Sequence, residues 1–175
     1  MLRTITSLAA LLALAAALTG CAGVPQQTAT RAPASAVTQA RTIVGPTSSE
    51  AYVGTAIAEL ARNLVGAQYH YGGAKPDEGF DCSGLVFYTY SKAGYRVPRT
   101  SQELFRAARK IALGDAGAGD LMFFQDEAKL SHVGIYLGDG WFVHAPASGQ
   151  RVAVANLDTA YYQQHLVAVG RLLPR

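Results

Sequence analysis

HVGIYLGDGWFVHA, residues 132–145, reads as two short strands around a tight turn. Both runs are rich in aromatic or β-branched residues, and Gly138-Asp139-Gly140 between them has hairpin composition. Pairing about Asp139 sets residue 139−n beside 139+n, so His132 falls near position 146, two residues beyond His144. A diagonal of that kind spans about 7–8 Å between Cα atoms, close enough for two imidazoles to communicate. Either histidine alone reads as a satisfied structural residue. As a pair on neighbouring strands they form a candidate site.

Downstream and just upstream the same texture repeats. DLMFFQ (120–125), RVAVANL (151–157) and HLVAVGRLL (165–173) are further strands separated by Gly and Asp. Before them the period is helical. Val53, Ile57, Leu60, Ala61 and Leu64 share one face, with Ser49 as N-cap and Gly66 as terminator. YHYGG (69–73) follows as a loop, and a second helix runs from Cys82 to Ala93, closed by Gly94. A third starts at Thr100, where TSQE is a capping box completed by Glu103. Helices first and strands afterwards predict an α+β fold, with N-terminal helices packed on an antiparallel sheet of five to six strands.

The first 20 residues carry a different instruction. Arg3 precedes an Ala/Leu run from Leu8 to Leu18, too short for the roughly 20 apolar residues that span a bilayer. It ends in Leu18-Thr19-Gly20-Cys21, which resembles the bacterial lipobox and implies a signal peptide over 1–20 and a lipid on Cys21. Such a chain sits on a membrane without spanning it. Ala22, in place of an aspartate retention signal, implies an outer-membrane lipoprotein facing the periplasm. Residues 21–48, rich in Ala, Thr, Gln, Pro and Ser, read as a disordered tether of about 30 Å root-mean-square span. The folded domain is expected over 49–175.

Charge excludes one class of partner. Lys and Arg number 15 against 12 acidic residues, and they are scattered with no basic run or helix face, so nucleic acid is not expected. The chain has two cysteines. With Cys21 lipidated, Cys82 has no partner in its own chain, an exposed liability for an exported protein. Packing explains a buried Cys well enough. At the first turn of a helix, however, unpaired N–H groups and the dipole lower a thiol's pKa, which predicts a nucleophile.

Taken in order, GAQYHYGGAKPDEGFDCSGL (66–85), PRTSQEL (98–104), AGDLMFF (118–124), HVGIYLGDGWFVHA and VAVGR (167–171) resemble the NlpC-type murein peptidases. The resemblance covers about Ile57 to Arg171 and implies a papain-like fold. It implies hydrolysis of amide bonds in peptidoglycan stem peptides, at D-isoglutamyl–meso-diaminopimelate or at the diaminopimelate–D-Ala cross-link. By the same resemblance Cys82 is the nucleophile, His132 the base and His144 the residue that orients it. Tyr69 matches a tyrosine near the nucleophile, whose hydroxyl helps hold an oxyanion. Asp81 and Ser83 match substrate-contacting positions. Helix capping is the competing role for Asp81, and a structural salt bridge the competing role for Arg99. Two features depart from the family pattern: Ala118 stands where proline is common, and the spacer from Ala74 to Gly79 carries extra polar residues that bear on bond preference.

No metal or other cofactor is called for, and a monomer is expected. A zinc site of Cys82, His132 and His144 lacks any short-spaced ligand pair. A catalytically silent peptidoglycan-binding lipoprotein would have no need of all three residues. The same fold acting on a different envelope amide stays open.

Overall fold

The computed structural model describes residues 48–126 and 129–173. The expected signal peptide, the expected lipidation site Cys21 and all of the expected tether except Ser48 lie outside the described residues.

The first helix, α1 (Ser48–Arg62), buries Ile57, Ala58 and Ala61, spaced to share one helical face. It differs from expectation at both ends. Ser49 lies inside the first turn rather than capping it, and the helix closes at Arg62 instead of Gly66. Asn63 to Gly66 continue as turns, with Leu64 and Val65 bonding three residues back, until Gly66 reverses the chain at φ 92°. A small hairpin, β1 (Ala74–Lys75) and β2 (Gly79–Phe80), then leads into α2 (Cys82–Lys92). The end of α2 is a Schellman motif: Tyr95 N–H bonds Tyr90 C=O, Gly94 N–H bonds Ser91 C=O, and Gly94 has φ 87°. At the start of α3 (Ser101–Ala107) the expected capping box between Thr100 and Glu103 is present.

Six strands follow: β3 (Arg109–Ile111), β4 (Leu121–Asp126), β5 (Lys129–Gly138), β6 (Trp141–His144), β7 (Ala153–Asn156) and β8 (Leu166–Arg171). A short helix, α4 (Ala160–His165), intervenes before β8. The sheet order is β3-β8-β4-β5-β6-β7, antiparallel at every step. Ile135 pairs with Val143 and Tyr136 with Phe142, the register centred on Asp139 that the hairpin predicts. Asp139 itself adopts φ 51° between Gly138 and Gly140, both also at positive φ. The predicted α+β, papain-like architecture is borne out, with the β1–β2 hairpin, strand β3 and helix α4 as additions.

β4 alternates between two cores. Leu121 and Phe123 join Ile57, Leu85 and Val133 on the side of α1 and α2. Met122 and Phe124 join Phe142 and Val169 on the other, against which Tyr162 of α4 packs. Wholly burying a side chain such as Phe123 contributes about 1.5–3 kcal/mol. Period two with both faces covered explains why 121–124 reads as an unbroken apolar run.

One buried ion pair ties the end of the sheet to its middle. Arg171 Nε donates to Asp120 Oδ1 at 2.7 Å and Nη2 to Oδ2 at 2.6 Å, with side chains 2% and 3% exposed. Arg171 Nη2 also bonds the Asp115 carbonyl at 3.0 Å, and Asp120 accepts from Gly117 N–H. Arg171→Met leaves the Asp120 carboxylate buried without its partner and is expected to cost about 3–5 kcal/mol. Urea unfolding should show a lower midpoint at unchanged slope. Pairing it with Asp120→Leu should recover most of the loss; a single variant as stable as the parent would refute the assignment.

Candidate active site

Asp81 does the local work at the start of α2. As N-cap its Oδ1 accepts from Gly84 N–H at 2.6 Å, and its Oδ2 accepts from Gly72 N–H at 2.9 Å. The Arg99 guanidinium grips both oxygens at 2.9 Å and reaches Ser83 Oγ and the Gly73 carbonyl as well. Burial would raise this carboxyl, yet the bonds from Arg99, Gly84 and Gly72 hold it below the usual range. Asp81 therefore has the capping role and Arg99 the salt bridge. Ser83, buried, lies within that cluster, its hydroxyl 3.1 Å from Asp81 Oδ1. The glycine of DCSG has a packing cause: a side chain at Gly84 would run into the Gly73 carbonyl.

Cys82, the first residue of α2, faces strand β5. The backbone N–H groups of Val133, Ser83 and Cys82 itself favour its thiolate. Burial opposes them and is larger, and the Asp81 charge adds to it, so the thiol lies above its ordinary range. This corrects the sequence-based expectation of a lowered pKa: a helix terminus favours a thiolate by less than desolvation disfavours it here. At neutral pH the resting sulfur is a thiol.

The hairpin delivers the histidines as predicted. His132 Nε2 lies 2.8 Å from His144 Nδ1, with the rings edge to face at 5.0 Å. Burial, and for His132 the neighbouring His144, pushes the pair down to about 3 and about 4 respectively. Both imidazoles are neutral at pH 7. His144 takes Nε2 of His132, so Nδ1 is the nitrogen of that ring not engaged in this contact. His132 sits beside Val133, whose N–H faces the Cys82 sulfur.

Two clefts meet here. The first, about 600 Å³, is lined by Tyr69, Tyr71, Cys82, Ser83, Arg99 and Ser131. The second, about 460 Å³, is lined by Ser131, His132, Gln150, Tyr161 and Tyr162 among others. Ser131 borders both clefts, with Cys82 on the first and His132 on the second. Tyr69 lies near enough to Cys82 for their charges to interact, and burial first, then Cys82 and Asp81, keeps its hydroxyl protonated. Tyr162, absent from the sequence reading, completes the second cleft. Its ring packs on Phe124, Phe142 and His144, and its hydroxyl lies 3.3 Å from His144 Nε2. No spacing rule points to it, because α4 has only six residues and no capping side chain. Among the described residues no three His, Cys, Asp or Glu side chains are grouped to share a metal ion.

Known proteins resemble this one along most of the described domain. The NlpC/P60 family profile matches residues 66–171. The bifunctional muramidase/DL-endopeptidase CwlT of Bacillus subtilis is 43% identical over 64% of this chain and 34% of its own. The murein DD-endopeptidase MepH of Escherichia coli is 39% identical over 62% of this chain and 42% of its own. The chain thus spans less than half the length of these curated relatives. A crystal structure from Staphylococcus aureus, described as similar to a lipoprotein of the NLP/P60 family, superposes with a TM-score of 0.64. It is 35% identical and covers 71% of this chain and 42% of that one.

Proposed function

Because the chain belongs to the NlpC/P60 family, we propose that it is a cysteine peptidase of the cell envelope that hydrolyses amide bonds in peptidoglycan stem peptides. The observation that carries this reading is the His132–His144 contact beside the N-terminus of α2. Cys82 attacks the carbonyl carbon while its proton passes to His132 Nδ1. The oxyanion is held by the backbone N–H of Cys82, with the Tyr69 hydroxyl as second donor. Collapse breaks the C–N bond, and His132 returns the proton to the departing amine, leaving a thioester on Cys82. Water then attacks the thioester, its proton going to His132 and on to the leaving sulfur. The acyl half of the substrate occupies the cleft of Cys82 and the amine half the cleft of His132. Ser83 contacts the stem peptide from the wall of the first cleft, and Asp81 supports that wall.

The bond cut is D-isoglutamyl–meso-diaminopimelate or the diaminopimelate–D-Ala cross-link. Names of relatives support both, one a DL- and one a DD-endopeptidase. Mass spectrometry of purified muropeptides before and after incubation distinguishes them by the fragments released. Muropeptides left intact by folded protein would refute the reading.

Anchoring forms part of the same proposal: Cys21 carries lipid and holds the domain at a membrane, which the lipoprotein description of the Staphylococcus aureus structure supports. No helix among the described residues is long and apolar enough to cross a membrane. Cys21→Ser is expected to leave uncleaved precursor or to release the protein from membranes. Fully processed Cys21→Ser protein still sedimenting with membranes would exclude the anchor.

A further inference from the structure

We infer that Tyr162 is a positioning residue of the catalytic system, accepting the outermost hydrogen bond of a chain that runs His132, His144, Tyr162. The inference rests on the cysteine-peptidase reading and extends it by one member. His144 is 4% exposed, so its ring nitrogens depend mainly on protein partners. Nδ1 faces His132 Nε2 at 2.8 Å, and Nε2 faces the Tyr162 hydroxyl at 3.3 Å.

A neutral imidazole has one N–H and one bare nitrogen. When both rings are neutral, the contact can be made in two ways, with either histidine as donor. The Tyr162 hydroxyl, able to accept or donate, suits both. Once His132 takes the thiol proton it carries N–H on both nitrogens, and one arrangement remains. His132 Nε2–H donates to His144 Nδ1, so the His144 proton must be on Nε2, aimed at Tyr162. The tyrosine oxygen is then the acceptor for a buried N–H. Its contribution is largest when His132 is charged, which is the state of the transition state and not of bound substrate.

The ring of Tyr162 is already held by Phe124 and Phe142, at centroid distances of 5.3 and 4.9 Å. Tyr162→Phe therefore keeps the packing and removes only the hydroxyl. Leaving a buried N–H without its partner is expected to lower kcat about tenfold, with KM held within about twofold. Asparagine at 144 has no atom in the place of Nε2, so the cost of Tyr162→Phe should vanish in the His144→Asn background. ¹⁵N NMR of substrate-free protein supplies a readout independent of the substrate: the balance between Nδ1–H and Nε2–H at His144 should move toward Nδ1–H in Tyr162→Phe, where an Nε2–H has lost its acceptor. Unchanged kcat in Tyr162→Phe, an equal cost in both backgrounds, or a His144 tautomer balance that does not move in Tyr162→Phe would each overturn the inference. Failure of the peptidase reading would appear elsewhere, as hydrolysis surviving Cys82→Ala.

Discussion

Cys82→Ala is expected to reduce stem-peptide hydrolysis by about 10⁴-fold or more, to the level of the untreated substrate. Alanine is the best helix former and occupies the same first-turn position, so α2 and its Asp81 cap should persist. A urea midpoint close to the parent's separates loss of chemistry from loss of fold. Iodoacetamide should inactivate the parent to the same floor. Its pH dependence tests the electrostatics directly. Because burial raises the thiol, the alkylation rate should climb through the alkaline range instead of levelling off near neutrality. A plateau below pH 7 would mean a preformed thiolate and would refute the neutral resting state. Full hydrolysis after complete alkylation would end the cysteine mechanism.

The second large effect separates the histidines. On the proposed mechanism His132 takes a proton from sulfur and gives it to an amine, which no amide can do, so His132→Asn and His132→Ala should be equally inactive. In the same mechanism His144 needs only to accept at Nδ1, the atom 2.8 Å from His132 Nε2. That atom is bonded directly to Cγ, and the side-chain oxygen of asparagine is bonded to the same carbon. His144→Asn should thus keep measurable activity, and His144→Ala less. If His144→Asn is as inert as His132→Ala, with both folded, the two roles are shared or reversed.

Both histidines also bear on stability. Their folded pKa values, about 3 and about 4, lie below the roughly 6.5 of an unfolded chain. Between these limits the unfolded state binds more protons, so stability is fully present above about pH 6.5 and falls as pH drops toward 4. The urea midpoint should follow that slope, and His144→Asn should shallow it. A midpoint that does not change between pH 7 and 5 would contradict the neutral buried pair.

Local information determined much of this protein. The symmetric hairpin about Asp139 set the β5–β6 register, because a glycine-flanked turn leaves little choice of pairing. The capping box at Thr100 and the Gly94 stop are one-turn signals, legible because their hydrogen bonds close within a few residues. The order of DCSG, HVGIY and the second histidine carried the family. Tertiary structure decided what depends on partners distant in sequence. Arg99 lies 18 residues from Asp81, and only the fold closes it on the helix cap. The direction of the Cys82 shift is not legible in sequence, because dipole effects are local while desolvation depends on what the fold packs over the sulfur. β3 has three residues and α4 six, too short for any period to emerge. Tyr162 reaches His144 only because α4 folds over Phe124 and Phe142, a contact that no pattern along the chain encodes.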